Sequence, residues 1–184
     1  MSKVLRYGFL LAVAGALLLA QPLTAADGIE GGLVSVKWLE KNLKNADVLI
    51  LDASAAPAYA AKHIPGAVSV DIYAWYGLQE MPVADMEKLF QSWGISPGKK
   101  IVMYDPGGTM LATRIFFSLH YYGFPVKNLA ILDGGLFKWQ EAGLPVTKDM
   151  SPIPRKGSFK ITKLNEDVRV KLPEVLTASG DPAN

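Results

Sequence analysis

Four aspartates stand at the ends of short apolar runs in this chain of 184 residues: Asp52, Asp71, Asp105 and Asp133. Asp105 has the most chemical context. It follows Lys100-Ile-Val-Met-Tyr104 and opens a loop, Asp105-Pro106-Gly107-Gly108-Thr109-Met110, that runs into a helical segment carrying Arg114. Consecutive backbone N–H groups at the start of a helix favour an anion, through hydrogen bonds and the helix dipole. A carboxylate in that place has three uses: it can cap the helix internally, bind an outside group, or serve as nucleophile or base. Aspartate is a common cap, so capping is the preferred reading. For the third use no electrophilic partner or metal set accompanies it. Pro106 has no N–H to offer, and Gly107 and Gly108 relieve backbone strain. The loop fits neither the Walker pattern nor the dinucleotide fingerprint, so no nucleotide cofactor is expected. Arg114 is expected to pair with Asp52 or Asp105 across the strand ends, with contact to an external anion as the other option.

The chain has no cysteine and two histidines, His63 and His120. Disulfides, thiolate nucleophiles, persulfides and Cys–zinc sites are thereby excluded together. No metal site is expected. His63, in the turn His63-Ile-Pro-Gly66, reads as holding that turn rather than as a base, since no nucleophile stands with it. His120 reads as a packing residue. Tyr73, Trp75 and Tyr76 form an aromatic loop whose default role is core or rim packing, with a pocket or domain interface as the alternative. Phe137 and Trp139 read as core, and Asp133 as a cap at a strand-to-helix turn.

These residues need elements to position them. Half of the chain is apolar and a tenth aromatic, which fits one ordinary globular domain and argues against disorder. Ser35 is a good N-cap for a helix to about Leu43. Strands are expected at 47–52, 67–70, 100–105 and 129–132, and helices at 55–62, 85–93, 109–122 and 136–142. Strands separated by helices at this spacing imply an α/β fold in three layers, with a central, mainly parallel sheet covered on both faces. Such sheets place their sites at the carboxyl ends of strands, where the aspartates stand. After Asp149 the texture becomes linker-like, and 171–178 has the pattern of a further helix.

The N-terminus differs in kind. Lys3 and Arg6 precede an uncharged, almost wholly apolar run from Tyr7 to Ala20, followed by Pro22 and small residues, with Thr24 and Ala26 placed for cleavage. This is the layout of a secretory signal peptide over residues 1–26. The apolar run, at about 1.5 Å per residue, is too short for the roughly 30 Å hydrocarbon core. Membrane contact is expected only through this segment before cleavage, with a periplasmic or otherwise exported product. The formal charge of +2 comes from 19 basic and 17 acidic residues; without Lys3 and Arg6 it is zero. A nucleic-acid partner is therefore not expected.

The segments Val48-Leu-Ile-Leu-Asp52, His63-Ile-Pro-Gly-Ala67, Ile101-Val-Met-Tyr-Asp105 with its glycine loop to Arg114, and Leu132-Asp-Gly-Gly-Leu-Phe-Lys-Trp139 with Gly143-Leu-Pro-Val146 come in a characteristic order and spacing. In these the chain resembles the rhodanese, or thiosulfate sulfurtransferase, family over about residues 33–148. The resemblance implies a rhodanese domain at 27–149. In active members the loop after the Ile101–Tyr104 strand begins with a cysteine that becomes a persulfide; here the matching position is Asp105. Sulfur transfer by that route, and the phosphatase chemistry of related folds, need the absent thiolate. In tandem members the first domain commonly carries aspartate here and is silent. Residues 150–184 resemble a linker and the start of a second domain. The resemblance thus implies the non-catalytic half of an exported sulfurtransferase of thiosulfate or 3-mercaptopyruvate type, with no cofactor. Its partner would be a cysteine-containing rhodanese domain in cis or in trans. The alternative is a stand-alone exported binding module.

Overall fold

The computed structural model describes residues 32–75, 77–151 and 155–180. The leader expected at 1–26, Tyr76 of the aromatic loop and the residues 152–154 lie outside the described residues.

Five strands form one sheet: β1 (Leu33–Val34), β2 (Val48–Asp52), β3 (Val68–Ser69), β4 (Lys100–Tyr104) and β5 (Leu129–Leu132). Their order across the sheet is β1-β5-β4-β2-β3, and every pair is parallel. Because side chains alternate along a strand, β4 serves two cores. Ile101 and Met103 enter one cluster, and Val102 and Tyr104 enter the other. Both faces are covered by packed side chains, which is why β2, β4 and β5 read as unbroken apolar runs.

The first cluster packs the sheet against α3 (Val83–Ser92) and α4 (Leu111–Tyr121), through Met86, Leu89, Phe90, Ile115 and Leu119. The second packs it against α1 (Val36–Asn42), α2 (Ala56–Ala61) and α5 (Gly135–Glu141), through Leu39, Tyr59, Leu136 and Trp139. Fully burying a side chain such as Leu39 contributes about 1.5–3 kcal/mol relative to leaving it in water. Ser35 caps α1, its Oγ accepting from the Trp38 N–H at 3.1 Å. The three-layer α/β architecture expected from the strand–helix alternation is present. Two helices start two residues from expectation: α3 begins earlier, at Val83, and α4 later, at Leu111, after a longer loop. Phe137, expected in the core beside Trp139, is instead 66% exposed, while Trp139 is fully buried. The two are neighbours but one on a short helix, so they point to different sides of it.

The stretch after Asp149 does more than connect. The Gly157 N–H donates to the Gln91 carbonyl, and the Phe159 N–H to that of Ile95. Phe159 is buried edge-on against Phe124, with ring centroids 5.0 Å apart. Farther on, Asn165 donates to Nε2 of His120 at 2.9 Å. Arg169 lies over the Tyr121 ring and pairs with Glu80. The last helix, α6 (Leu172–Ser179), has no buried residue.

Candidate functional site

The loop leaving β4 lies between the starts of two helices. Asp105 is 5% exposed, and both of its carboxylate oxygens are hydrogen-bonded: Oδ1 accepts from the Gly107 N–H at 2.9 Å and Oδ2 from the Ala112 N–H at 3.1 Å. Ala112 is in the first turn of α4, whose N-cap position, Met110, supplies no side-chain cap. The carboxylate therefore occupies the anion position at the start of α4. The other side of the loop serves α5. The carbonyls of Asp105 and Pro106 accept from the N–H groups of Leu136 and Phe137 at 2.9 and 3.0 Å.

Two glycines permit this approach. Gly107 has φ +109°, and a Cβ on it would stand 2.8 Å from the Gly134 carbonyl oxygen. Gly135 has φ +57°, and a Cβ there would run into the Asp105 carbonyl. Only glycine takes such backbone conformations without penalty. Asp133, expected as a cap, instead pairs with Lys138 one turn along α5, at 2.6 Å.

Asp52 lies opposite Tyr104 in the β2–β4 register and is fully buried. Its Oδ1 accepts from the Ser54 N–H at 2.8 Å, while Oδ2 is buried without a hydrogen-bond partner. The Tyr104 hydroxyl accepts from the Ile64 N–H at 3.0 Å, which fixes the turn beginning at His63. Burial pushes the Tyr104 phenol well above its ordinary range, and the neighbouring Asp52 carboxylate pushes it further the same way.

The expected ion pair is not made: Arg114 bridges neither Asp52 nor Asp105. Among the described residues the ion pairs are Lys88–Asp85, Lys138–Asp133 and Arg169–Glu80. Both Asp105 oxygens accept from backbone N–H groups instead, and Asp52 is fully buried. Thr109 and Met110 complete the loop in the open, Met110 at 75% exposure.

His63 is buried and stacked on Tyr59, with centroids 3.8 Å apart. Its Nδ1 lies 2.8 Å from the Tyr59 carbonyl and its Nε2 3.1 Å from that of Asp149. Backbone bonds in both directions between His63 and Thr147, each 2.9 Å, tie the turn to the end of the domain. The histidine is a structural pin. The Asp149 partner is the feature that local sequence could not supply, being far along the chain.

An α/β sheet of order β1-β5-β4-β2-β3, with a clamped loop after β4 and the His-Ile-Pro-Gly turn bonded to Tyr104, defines a class that the comparisons identify. A family model described as "Rhodanese-like domain" matches residues 35–142, and the chain belongs to the rhodanese family. It is 35% identical over 180 residues to a Synechococcus elongatus protein named "Putative thiosulfate sulfurtransferase", an overlap of 93% of this chain and 54% of that one. It is 29% identical to the 3-mercaptopyruvate sulfurtransferase of Escherichia coli K12, over 79% of this chain and 56% of that protein. Among solved structures, the crystal structure of the Escherichia coli 3-mercaptopyruvate sulfotransferase SseA superposes with TM-score 0.69 and 28% identity, covering 82% of this chain and 62% of that one. The chain spans about half the length of the curated relatives it matches. It is a sulfurtransferase-type domain with no cysteine.

Proposed function

We propose that this chain is the non-catalytic rhodanese domain of an exported sulfurtransferase of thiosulfate or 3-mercaptopyruvate type. It supports a cysteine-containing rhodanese domain, in cis or in trans. The observation that carries this reading is Asp105: its carboxylate accepts from one N–H of the loop in which active members hold a persulfide and from one in the first turn of the helix that follows. A fixed negative charge there repels thiosulfate and leaves no sulfur nucleophile. The basic, then apolar, then small-residue order of residues 1–26 supports export, and the loose match of residues 150–184 to a linker supports a tandem arrangement.

Thiosulfate-to-cyanide transfer measured on the purified chain is expected to be undetectable, and measurable turnover would overturn the proposal. The Asp105→Cys chain makes the complementary test. Its thiolate attacks the outer sulfur of thiosulfate, the new S–S bond forms, and sulfite leaves with the electron pair of the broken bond. Mass spectrometry is expected to show the added sulfur, which establishes that aspartate alone keeps the loop silent. If no sulfur is added by a folded variant, the loop is not a dormant persulfide cradle, and a stand-alone binding module becomes the better reading.

A further inference from the structure

Away from the Asp105 loop, a cavity of about 440 Å³ lies beside the edge strand β3. That volume falls within the usual range for small-molecule sites. Its lining includes Tyr59, Ser69, Asp71, Trp75, Trp93 and Met150. Asp71 has φ +32° and ψ 73°, and it is the one non-glycine residue with positive φ among the described residues. A left-handed backbone at a non-glycine residue, at the carboxyl end of a strand and in the wall of a cavity, is the sort that clusters at binding sites.

The local turn explains the placement. The Asp71 carbonyl accepts from the Ala74 N–H at 2.9 Å, closing a single 3-10 turn. Ile72, inside the turn, is buried in the core and anchors it. Asp71 and Trp75, at the two ends of this anchored turn, both line the cavity. The Asp71 carboxylate has no hydrogen bond or ion pair with any described residue, unlike Asp105, and no lysine, arginine or histidine is among the described residues lining the cavity. One uncompensated negative charge beside aromatic walls is the composition that recognises an organic cation.

We propose that this cavity binds a small organic ammonium ion, amine or quaternary, with Asp71 supplying the charge and Trp75 an aromatic face. The inference stands apart from the reading of the Asp105 loop, since it uses none of the same residues.

Choline and its uncharged isostere 3,3-dimethyl-1-butanol separate this proposal from simple apolar filling. Each is titrated into the purified chain, with tryptophan emission and the indole N–H resonances as readouts. Choline is expected to saturate and to bind about tenfold more tightly than the isostere, as an aromatic and charge contact together imply. Asp71→Asn is expected to erase that difference and Trp75→Ala to weaken choline binding. Asp71→Gly, which removes the backbone constraint with the charge, is expected to keep the melting temperature while losing the choline preference. Equal binding of the two probes, no saturable response to choline, or a melting temperature lowered by Asp71→Gly would each overturn the proposal. The last would show that the residue serves the turn rather than a ligand.

Discussion

Asp105 and Asp71 follow parallel strands of one sheet, yet they are opposites. Asp105 is buried, both of its oxygens accept from backbone N–H groups, and its own carbonyl is taken by α5. Asp71 is partly exposed, lacks any partner for its carboxylate among the described residues, and holds a left-handed backbone. The difference teaches where this domain spends a charge on its own structure and where it leaves one available. A carboxylate bonded by a helix start stabilises the chain that carries it. A carboxylate on a left-handed residue, with no partner among the described residues, has no such internal role.

The comparison can be broken most forcefully at the clamp. Gly135→Ala pushes a methyl group into the Asp105 carbonyl at a positive φ, and is expected to cost about 2–4 kcal/mol in urea unfolding. A neutral outcome would mean that the loop and α5 are not tightly apposed. Asp105→Ala strands the N–H groups of Gly107 and Ala112, and about 1–3 kcal/mol of stability should disappear. Should it prove as stable as the native chain, the carboxylate is not a structural cap, and the contrast with Asp71 fails.

Asp52 lies between the two extremes, with one oxygen bonded and one orphaned, and Tyr104 reports on it. The folded phenol is raised above its unfolded value by burial and then by Asp52. Its contribution is therefore fully present below the ordinary tyrosine range and declines as pH rises above about 10, where the unfolded phenol ionises. Tyr104→Phe should cost about 1–3 kcal/mol at neutral pH by orphaning the Ile64 N–H. It should also flatten the alkaline fall in melting temperature, and an unchanged alkaline slope would remove Tyr104 from the account. The smallest effect is expected from Asp71→Asn, within about 0.5 kcal/mol of the native chain by thermal melting. A larger loss would erase the distinction between the two aspartates.

Much of this organisation was legible beforehand because its causes are local. The apolar runs of β2, β4 and β5, the Ser35 cap and the glycine-rich loop after Tyr104 each carry their signal within a few residues. β1 did not, since two residues have no periodicity, and Leu33–Val34 is a strand only because β5 lies beside it. Phe159 lies in the stretch whose texture reads as linker-like, and its burial depends on Phe124 and Ile95, far away in the chain. In the site, Asp105 was legible as an anion at a helix start. That Arg114 makes no bridge to it was not, because the direction of the carboxylate depends on how the loop folds around Gly107. Asp71 stood among the strand-end aspartates, but nothing in its neighbours announces a positive φ.

The pairing of β1 with β5 also sets an order of assembly. Leu33 and Val34 are made early, but their partners Ile131 and Leu132 lie almost at the end of the sheet-forming sequence. During synthesis the first strand must stay unpaired while β2, β3 and β4 are made, since its place beside β5 does not yet exist. Such non-local pairing closes a long loop for a small local gain and is slow to form. The edge strand is therefore a late signature of completion, and protection of the Ile131 amide, which donates to Gly32, would mark the moment at which the whole sheet has closed.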